Sequence, residues 1–173
     1  SIAKNIIEKD NHDTIDNIFS SFNEKPIANA SVAQVHTAIL KSGETVAIKI
    51  LKPNIKEKLF KDFIFFYWVS KCLEIAIPSI KRLKLSKNVE VLSEVSLNEL
   101  DLTLEASAAE ELSENFKDNP NYKVPKIYWE FTSKNILVLE YIQGIRIDDI
   151  NALKKANHNI KKITEVGTEV FFL

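Results

Sequence analysis

Methionine is absent from the 173 residues, cysteine occurs once and glycine three times. The lone thiol, Cys72, excludes an internal disulfide framework or a cysteine-built metal site, and suits a reducing compartment. His12, His36 and His158 are scattered without metal-ligand spacing, so no zinc site is expected. No charge sign dominates: 23 basic and 24 acidic residues leave a net charge of -1. That balance removes the bulk electrostatic argument for nucleic acid or an anionic membrane as partner, and no nucleic acid is expected. Residue 1 is not a retained initiator, and Glu169–Leu173 is an apolar helical run without a glycine, proline or basic cap. Both ends are therefore expected to be cut, and the chain to be a piece of a longer protein. Ser1–Asp10 mixes charged with apolar residues, so no secretory signal is expected.

What is present is ordinary for a globular protein: 45% hydrophobic and 27% charged residues, in a length that suits one compact domain or part of a larger one. Helix-spaced apolar residues over 2–9 and 13–20 predict two short helices, the second capped by Asp13. Strands are predicted over Ala30–Leu40 and Thr45–Leu51, joined by a turn at Lys41-Ser42-Gly43-Glu44 and ended by Pro53. From Ile55 to Ile80 the pattern is helical and strongly apolar, with Phe60, Phe63, Ile64, Phe66, Tyr67 and Trp68 close together. Lys61, Asp62, Lys71 and Glu74 interrupt it, so a buried or amphipathic helix is expected rather than a membrane span, which needs ~20 apolar residues. Lys81–Lys87 reads as a solvated connection. One long acidic helix is predicted over Val89–Phe116, then strands over Lys126–Glu130 and Asn135–Tyr141. Helices follow over 148–155 and 159–173. Trp68 and Trp129 are expected as core anchors.

The most informative segment is Lys25–Pro53, KPIANASVAQVHTAILKSGETVAIKILKP, read as three short strands. Its third strand carries Val46-Ala47-Ile48-Lys49, the form in which a kinase-like fold presents the lysine that holds nucleotide phosphates. The alternative is an exposed lysine at a strand end, next to Lys52. Upstream, Ala28, Asn29, Ala30 and Ser31 stand where a phosphate-covering loop has glycines; alanine β-carbons restrict positive φ and stiffen the turn. Small packing residues at a strand entry would look the same. A partner for Lys49 is sought among Glu99, Asp101 and Glu105, of which Asp101 and Glu105, four apart, would share a helix face. A solvated acidic face is the alternative, weakened by Leu100, Leu102, Leu104 and the neighbouring alanines.

Taken together these elements resemble the UbiB/ADCK family of atypical kinase-like proteins. The likeness runs from Pro26-Ile27-Ala28-Asn29-Ala30-Ser31-Val32-Ala33-Gln34-Val35-His36 through Val46–Lys49, Glu99-Leu100-Asp101 and Glu105-Ala106. It continues in Val124-Pro125-Lys126-Ile127-Tyr128-Trp129 and ends in Val138-Leu139-Glu140-Tyr141-Ile142-Gln143-Gly144. Asn29 departs from the family's more usual alanine.

The resemblance implies an α+β fold: a protein-kinase-like smaller lobe, an antiparallel sheet with helices, plus the first helices of the larger helical lobe. The smaller lobe would cover 1–143, with a family-specific helical insertion at about 55–92, and 144–173 would begin the larger one. Lys49 would bind nucleotide phosphate, with Glu105 its ion-pair partner. Ala28, Ala30 and Ser31 would form the alanine loop, and Glu99 and Asp101 the family's acidic motif beside the pocket. Glu140 to Ile142 would be the hinge whose backbone meets adenine, and His36 would serve packing or hydrogen bonding. ATP with Mg2+ is the implied cofactor, the metal ligands and catalytic groups lying outside this chain, so whether the chain belongs to an enzyme is left open. The implied function is ATP turnover supporting ubiquinone biosynthesis, with a precursor lipid, the membrane surface and other ubiquinone-biosynthesis proteins as partners, at the cytoplasmic face of the bacterial inner membrane. A phosphotransferase acting on a small molecule or protein, and a nucleotide-independent lipid-binding or scaffold module, are the competing readings.

Overall fold

The computed structural model describes residues 2–172, with side chains described through residue 170. Strand alternation organises it. In β4 (Thr45–Leu51) Val46, Ile48 and Ile50 are all fully buried on one face, because successive side chains of a strand point to opposite sides. They meet α1 (Ile2–Asn11) and α2 (Ile15–Ile18) through Ala3, Ile7, Ile15 and Ile18, with Phe19, Ala38, Leu40, Tyr128, Ile136 and Val138 completing that core. Leu51, on the other face, joins Ala33, Leu137, Leu100, Leu102 and Ala106 in a second core. Lys49 falls on this second face by the same alternation.

The sheet is antiparallel in the order β1-β3-β4-β5, with β2 also paired to β3. β1 is Phe19–Phe22, β2 Ala28–Asn29, β3 Ala33–Leu40 and β5 Ile136–Glu140. The expected helix over 13–20 is cut short by β1. Phe19 packs on Phe22 and Phe131 at ring-centroid distances of 6.1 and 6.3 Å, and Ser20 donates to the carbonyls of Ile39 and Leu40. That tertiary packing outweighs the local helical spacing. Thr14, not Asp13, occupies the cap position, while Asp13 accepts from the Thr14 N–H and the Asn17 amide.

His36 is 2% exposed, stacked on Phe22 at 5.3 Å, with Nδ1 2.9 Å from the Asn23 carbonyl. The carbonyl can only accept, so Nδ1 carries the proton. This is the packing and hydrogen-bonding role expected of it.

Three further expectations change. The strand over Lys126–Glu130 is instead an isolated Ile127–Leu139 bridge and a 3-10 turn, Trp129–Phe131. The long helix over Val89–Phe116 is two helices, α4 (Leu85–Asn98) and α5 (Leu102–Asn115), so Lys81–Lys87 contributes to a 3-10 turn, Pro78–Leu83, and to the start of α4 rather than to a plain connection. The third change concerns α3 (Ile55–Ala76), whose 22 residues are neither buried nor clearly amphipathic. Only Ser70 is buried on it, while Phe60, Ile64, Phe65, Phe66 and Trp68 are each more than half exposed. Trp68 is therefore not a core anchor. Trp129 is not one either: 40% exposed, its indole N–H donates to Glu110. α3 packs antiparallel against α4 as a hairpin, tied by Glu74, which accepts from the backbone N–H and hydroxyl of Ser86. No helix among the described residues is long and apolar enough to cross a membrane. α6 (Ile150–Lys155) and α7 (Ile160–Phe172) end the chain.

Candidate functional site

Lys49 pairs across the sheet with Val35 on one side and Leu137 on the other. It sits in the middle of the sheet, half-buried, on the face that α5 covers. α5 lies there because Leu102 and Ala106, four residues apart on one helix face, are 1% and 0% exposed against Leu51 and Leu137. Glu105 shares that face at i+3 from Leu102, and its Oε2 lies 2.6 Å from Lys49 Nζ. Sheet alternation and helix periodicity thus converge on one ion pair across 56 residues of sequence.

The break between α4 and α5 is built around Leu100 and Asp101. Leu100, 1% exposed, enters the second core; Asp101 turns to an extended conformation (φ -110°, ψ 97°) and caps α5 by accepting from the Thr103 N–H at 3.1 Å. Its carboxylate also accepts from the Thr103 hydroxyl and stands 3.5 Å from Lys134 Nζ, while the Leu102 N–H donates to the Lys134 carbonyl. Asp101 is thus the start of α5 and does not share a helix face with Glu105. The Thr103 hydroxyl bond, followed by its backbone N–H and Lys134, holds the Asp101 carboxyl below the ordinary 3.8. The sign follows: its contribution to stability is complete above the unfolded value and is lost as pH falls through the lower folded one. Asp101→Ala is expected to cost about 1 kcal/mol at neutral pH. In urea titrations its deficit against wild type should shrink at pH 3 and below.

A cleft of about 630 Å³ opens at this point, lined by Val32, Lys49, Leu59, Val95, Ser96, Asn98, Glu99, Leu100, Asp101, Leu104 and Glu105. Lys49, Glu99, Asp101 and Glu105 therefore share one wall. Glu99 is exposed there. Ala28, Ala30, Ser31, Glu140 and Ile142 are not on that wall. The alanine loop runs from β2 into β3, closed by the Ala30 N–H to the Ala33 carbonyl at 2.9 Å, and it has no residue at positive φ. Lys52 donates to the Ala30 carbonyl at 2.6 Å, pinning the loop from the end of β4. The sequence places Lys52 only as Lys49's neighbour and Lys134 only in the Thr132-Ser133-Lys134 connection before β5. Nothing local links Lys52 to the Ala30 carbonyl or Lys134 to Asp101.

At the end of β5 the Glu140 N–H donates to the Lys126 carbonyl and the Tyr141 N–H to the Thr45 carbonyl. Ile142, 43% exposed, is the first residue beyond this pairing. The Glu140 side chain turns to Lys123, 2.5 Å away, whose hydrogen bond holds the carboxyl below its usual value. The cleft offers a phosphate one cation, Lys49, beside three carboxylates, those of Glu99, Asp101 and Glu105. Lys49 offers a positioned ammonium, whereas no three His, Cys, Asp or Glu side chains stand together as metal ligands among the described residues.

A family model described as the ABC1 atypical kinase-like domain matches residues 1–173. Among curated proteins, the probable protein kinase UbiB of Cellvibrio japonicus is 40% identical over 167 residues, covering 96% of this chain and 30% of that protein. The protein of the same name from Marinobacter nauticus is 39% identical over 170 residues, covering 98% and 31%. The chain thus spans less than a third of the length of these relatives. Among solved structures, Rv3197 from Mycobacterium tuberculosis, described in complex with erythromycin, superposes with a TM-score of 0.62 at 27% identity, over 86% of this chain and 37% of that one.

Proposed function

The chain belongs to the ABC1 atypical kinase-like domain family, and from that premise we propose that it is the nucleotide-binding part of a UbiB-type protein. The observation that carries the reading is the 2.6 Å Lys49–Glu105 pair on the wall of an open cleft. A lysine held by a helix glutamate is how kinase-like folds fix a cation for nucleotide phosphates. Lys49 would meet the phosphates of ATP and Glu105 would hold its ammonium in place. The alanine loop, with the Ser31 hydroxyl exposed at its turn, would cover them, and Glu140–Ile142 would form the hinge, with Ile142 the residue left for adenine. Mg2+ would neutralise phosphate charge, held by residues outside this chain. In this division 1–143 is the smaller lobe and 144–173 opens the larger one.

The function of the whole protein in this reading is ATP turnover that supports ubiquinone biosynthesis. Turnover would be coupled to handling of a precursor lipid at the cytoplasmic face of the bacterial inner membrane, alongside other proteins of that synthesis. Incubating the full-length protein with γ-labelled ATP tests it. Label released as inorganic phosphate is the expected result. Label transferred to a protein or small-molecule acceptor would instead establish a phosphotransferase, and no nucleotide binding at all would leave a lipid-binding or scaffold module.

A further inference from the structure

The α3–α4 hairpin joins two features that the nucleotide reading leaves unused. The first is its outer face. Ser70, the residue of α3 buried against α4, fixes the inner side. Trp68 and Ile75 fall on the opposite side, since a step of about 100° per residue places them nearly half a turn from Ser70. They are 62% and 80% exposed, and Ile77 and Leu83 beyond them are 43% and 53% exposed. Exposed apolar patches of this kind mark interaction surfaces.

The second feature is charge. Lys81, Arg82 and Lys84 are exposed on the turn that joins α3 to α4, with Lys71 exposed near the end of α3 and Lys87, 3.2 Å from Glu90, exposed at the start of α4. Glu74 is the one acid between Val69 and Asn88, and Ser86 satisfies its carboxylate. The tip is thus strongly basic in a chain whose net charge is -1. It also stands apart from the sheet: a helix of 22 residues is about 33 Å long at 1.5 Å per residue.

We propose that the tip of this hairpin is a docking surface for an anionic phospholipid bilayer. Ile75, Ile77 and Leu83 enter the headgroup boundary, Trp68 lies at the interface, and Lys71, Lys81, Arg82, Lys84 and Lys87 face the lipid phosphates. Charge complementarity selects this occupant. Apolar side chains ringed by cations match the layered chemistry of a negatively charged leaflet, and an aromatic residue at the boundary suits its amphipathic depth. The hairpin lies on the membrane without spanning it, consistent with the absence of a membrane-crossing helix among the described residues.

The inference gives the membrane contact of the proposed function a location and rests on that reading for its setting; its test leaves the cleft untouched, so it can fail independently of Lys49. In the full-length protein, Ile75→Cys in a Cys72→Ser background is labelled with a polarity-sensitive dye, the background itself serving as blank. Vesicles of phosphatidylcholine alone are compared with vesicles containing phosphatidylglycerol. The expected result is a blue shift and loss of quenching by aqueous iodide with the anionic vesicles only. The combined K81Q, R82Q, K84Q and K87Q variant should lower partitioning on the order of 100-fold, about fivefold for each basic side chain near an anionic surface being the upper range. A label that stays wet with either vesicle overturns the proposal. So does a label already dry without lipid, which would mean that another part of the chain or a second copy covers the tip. Equal insertion into both vesicles, unaffected by the charge substitutions, overturns it as well.

Discussion

Lys49→Ala is expected to weaken ATP binding by the full-length protein roughly 10- to 100-fold, because a hydrogen bond to a charged group contributes about 1.5–3 kcal/mol and each ~1.4 kcal/mol is a factor of ten. The unfolding midpoint should hardly move. Lys49 and Glu105 keep 31% and 49% of their side-chain surface exposed, and ion pairs this open to water contribute only about 0–1 kcal/mol to stability. Affinity lost without stability lost is the signature of a binding cation and not of a structural one. Glu105→Gln, which keeps the length and one acceptor but removes the charge, should show a smaller loss in the same direction. Lys161→Ala in α7, 87% exposed and away from the cleft, should leave affinity unchanged. Calorimetric titration with ATP measures all three, and equal affinity for wild type and Lys49→Ala would remove Lys49 from the site.

Leu102→Ala should show the reverse pattern, a large loss of stability. Leu102 is 1% exposed in the core that fastens α5 to the sheet, and removing a buried leucine side chain typically costs about 2–5 kcal/mol, the spread reflecting how far the cavity can collapse. Two residues on, Leu104 is 54% exposed, so Leu104→Ala should change stability by less than about 0.5 kcal/mol. Urea unfolding followed by tryptophan fluorescence compares them, and Trp129, bonded to Glu110 of α5, is placed to report loss of the helix. Similar costs for the two leucines would contradict the assigned packing. Because Leu102 also donates its N–H to Lys134, slackening this contact should loosen the approach of Glu105 to Lys49, and Leu102→Ala should bind ATP more weakly as well.

The elements legible in the sequence were those governed by short-range pattern. The Val46-Ala47-Ile48-Lys49 run marked Thr45–Leu51 as a strand, and it is β4. The Ser42-Gly43 turn announced its hairpin with β3, and Gly43 does adopt positive φ (99°). The strongly apolar helical pattern over Ile55–Ile80 announced α3, which ends sooner, at Ala76. What stayed hidden was decided by contacts distant in sequence. Phe19–Phe22 carries helical spacing but pairs with β3 because Phe131 packs on it from more than a hundred residues away. The acidic helix over Val89–Phe116 had no glycine or proline to mark its break at Leu100. That break depends on Leu100 entering a core that draws Ala33, Leu51 and Leu137 from three strands and Leu102 and Ala106 from α5. The exposure of α3 was illegible for a related reason: periodicity shows that a helix forms but not what, if anything, covers it. Among the site residues, Lys49 and Glu105 were found through motif and resemblance. Lys134 and Lys52 act through contacts that no local pattern encodes.

The hairpin also alters the entropy of assembling the cleft. Lys49 and Glu105 are 56 residues apart, and closing a flexible loop carries a cost that rises with the logarithm of its length. α3 and α4 occupy most of that interval, from Ile55 to Asn98, and the contacts that zip them together are made between neighbours in the chain. Once they are zipped, only about a dozen positions outside the hairpin separate Lys49 from Glu105, which lowers the closure cost by about 1.3 kcal/mol. Length added at the far turn leaves this effective separation unchanged. The turn can therefore change in length while the span between lysine and glutamate stays fixed at the stem.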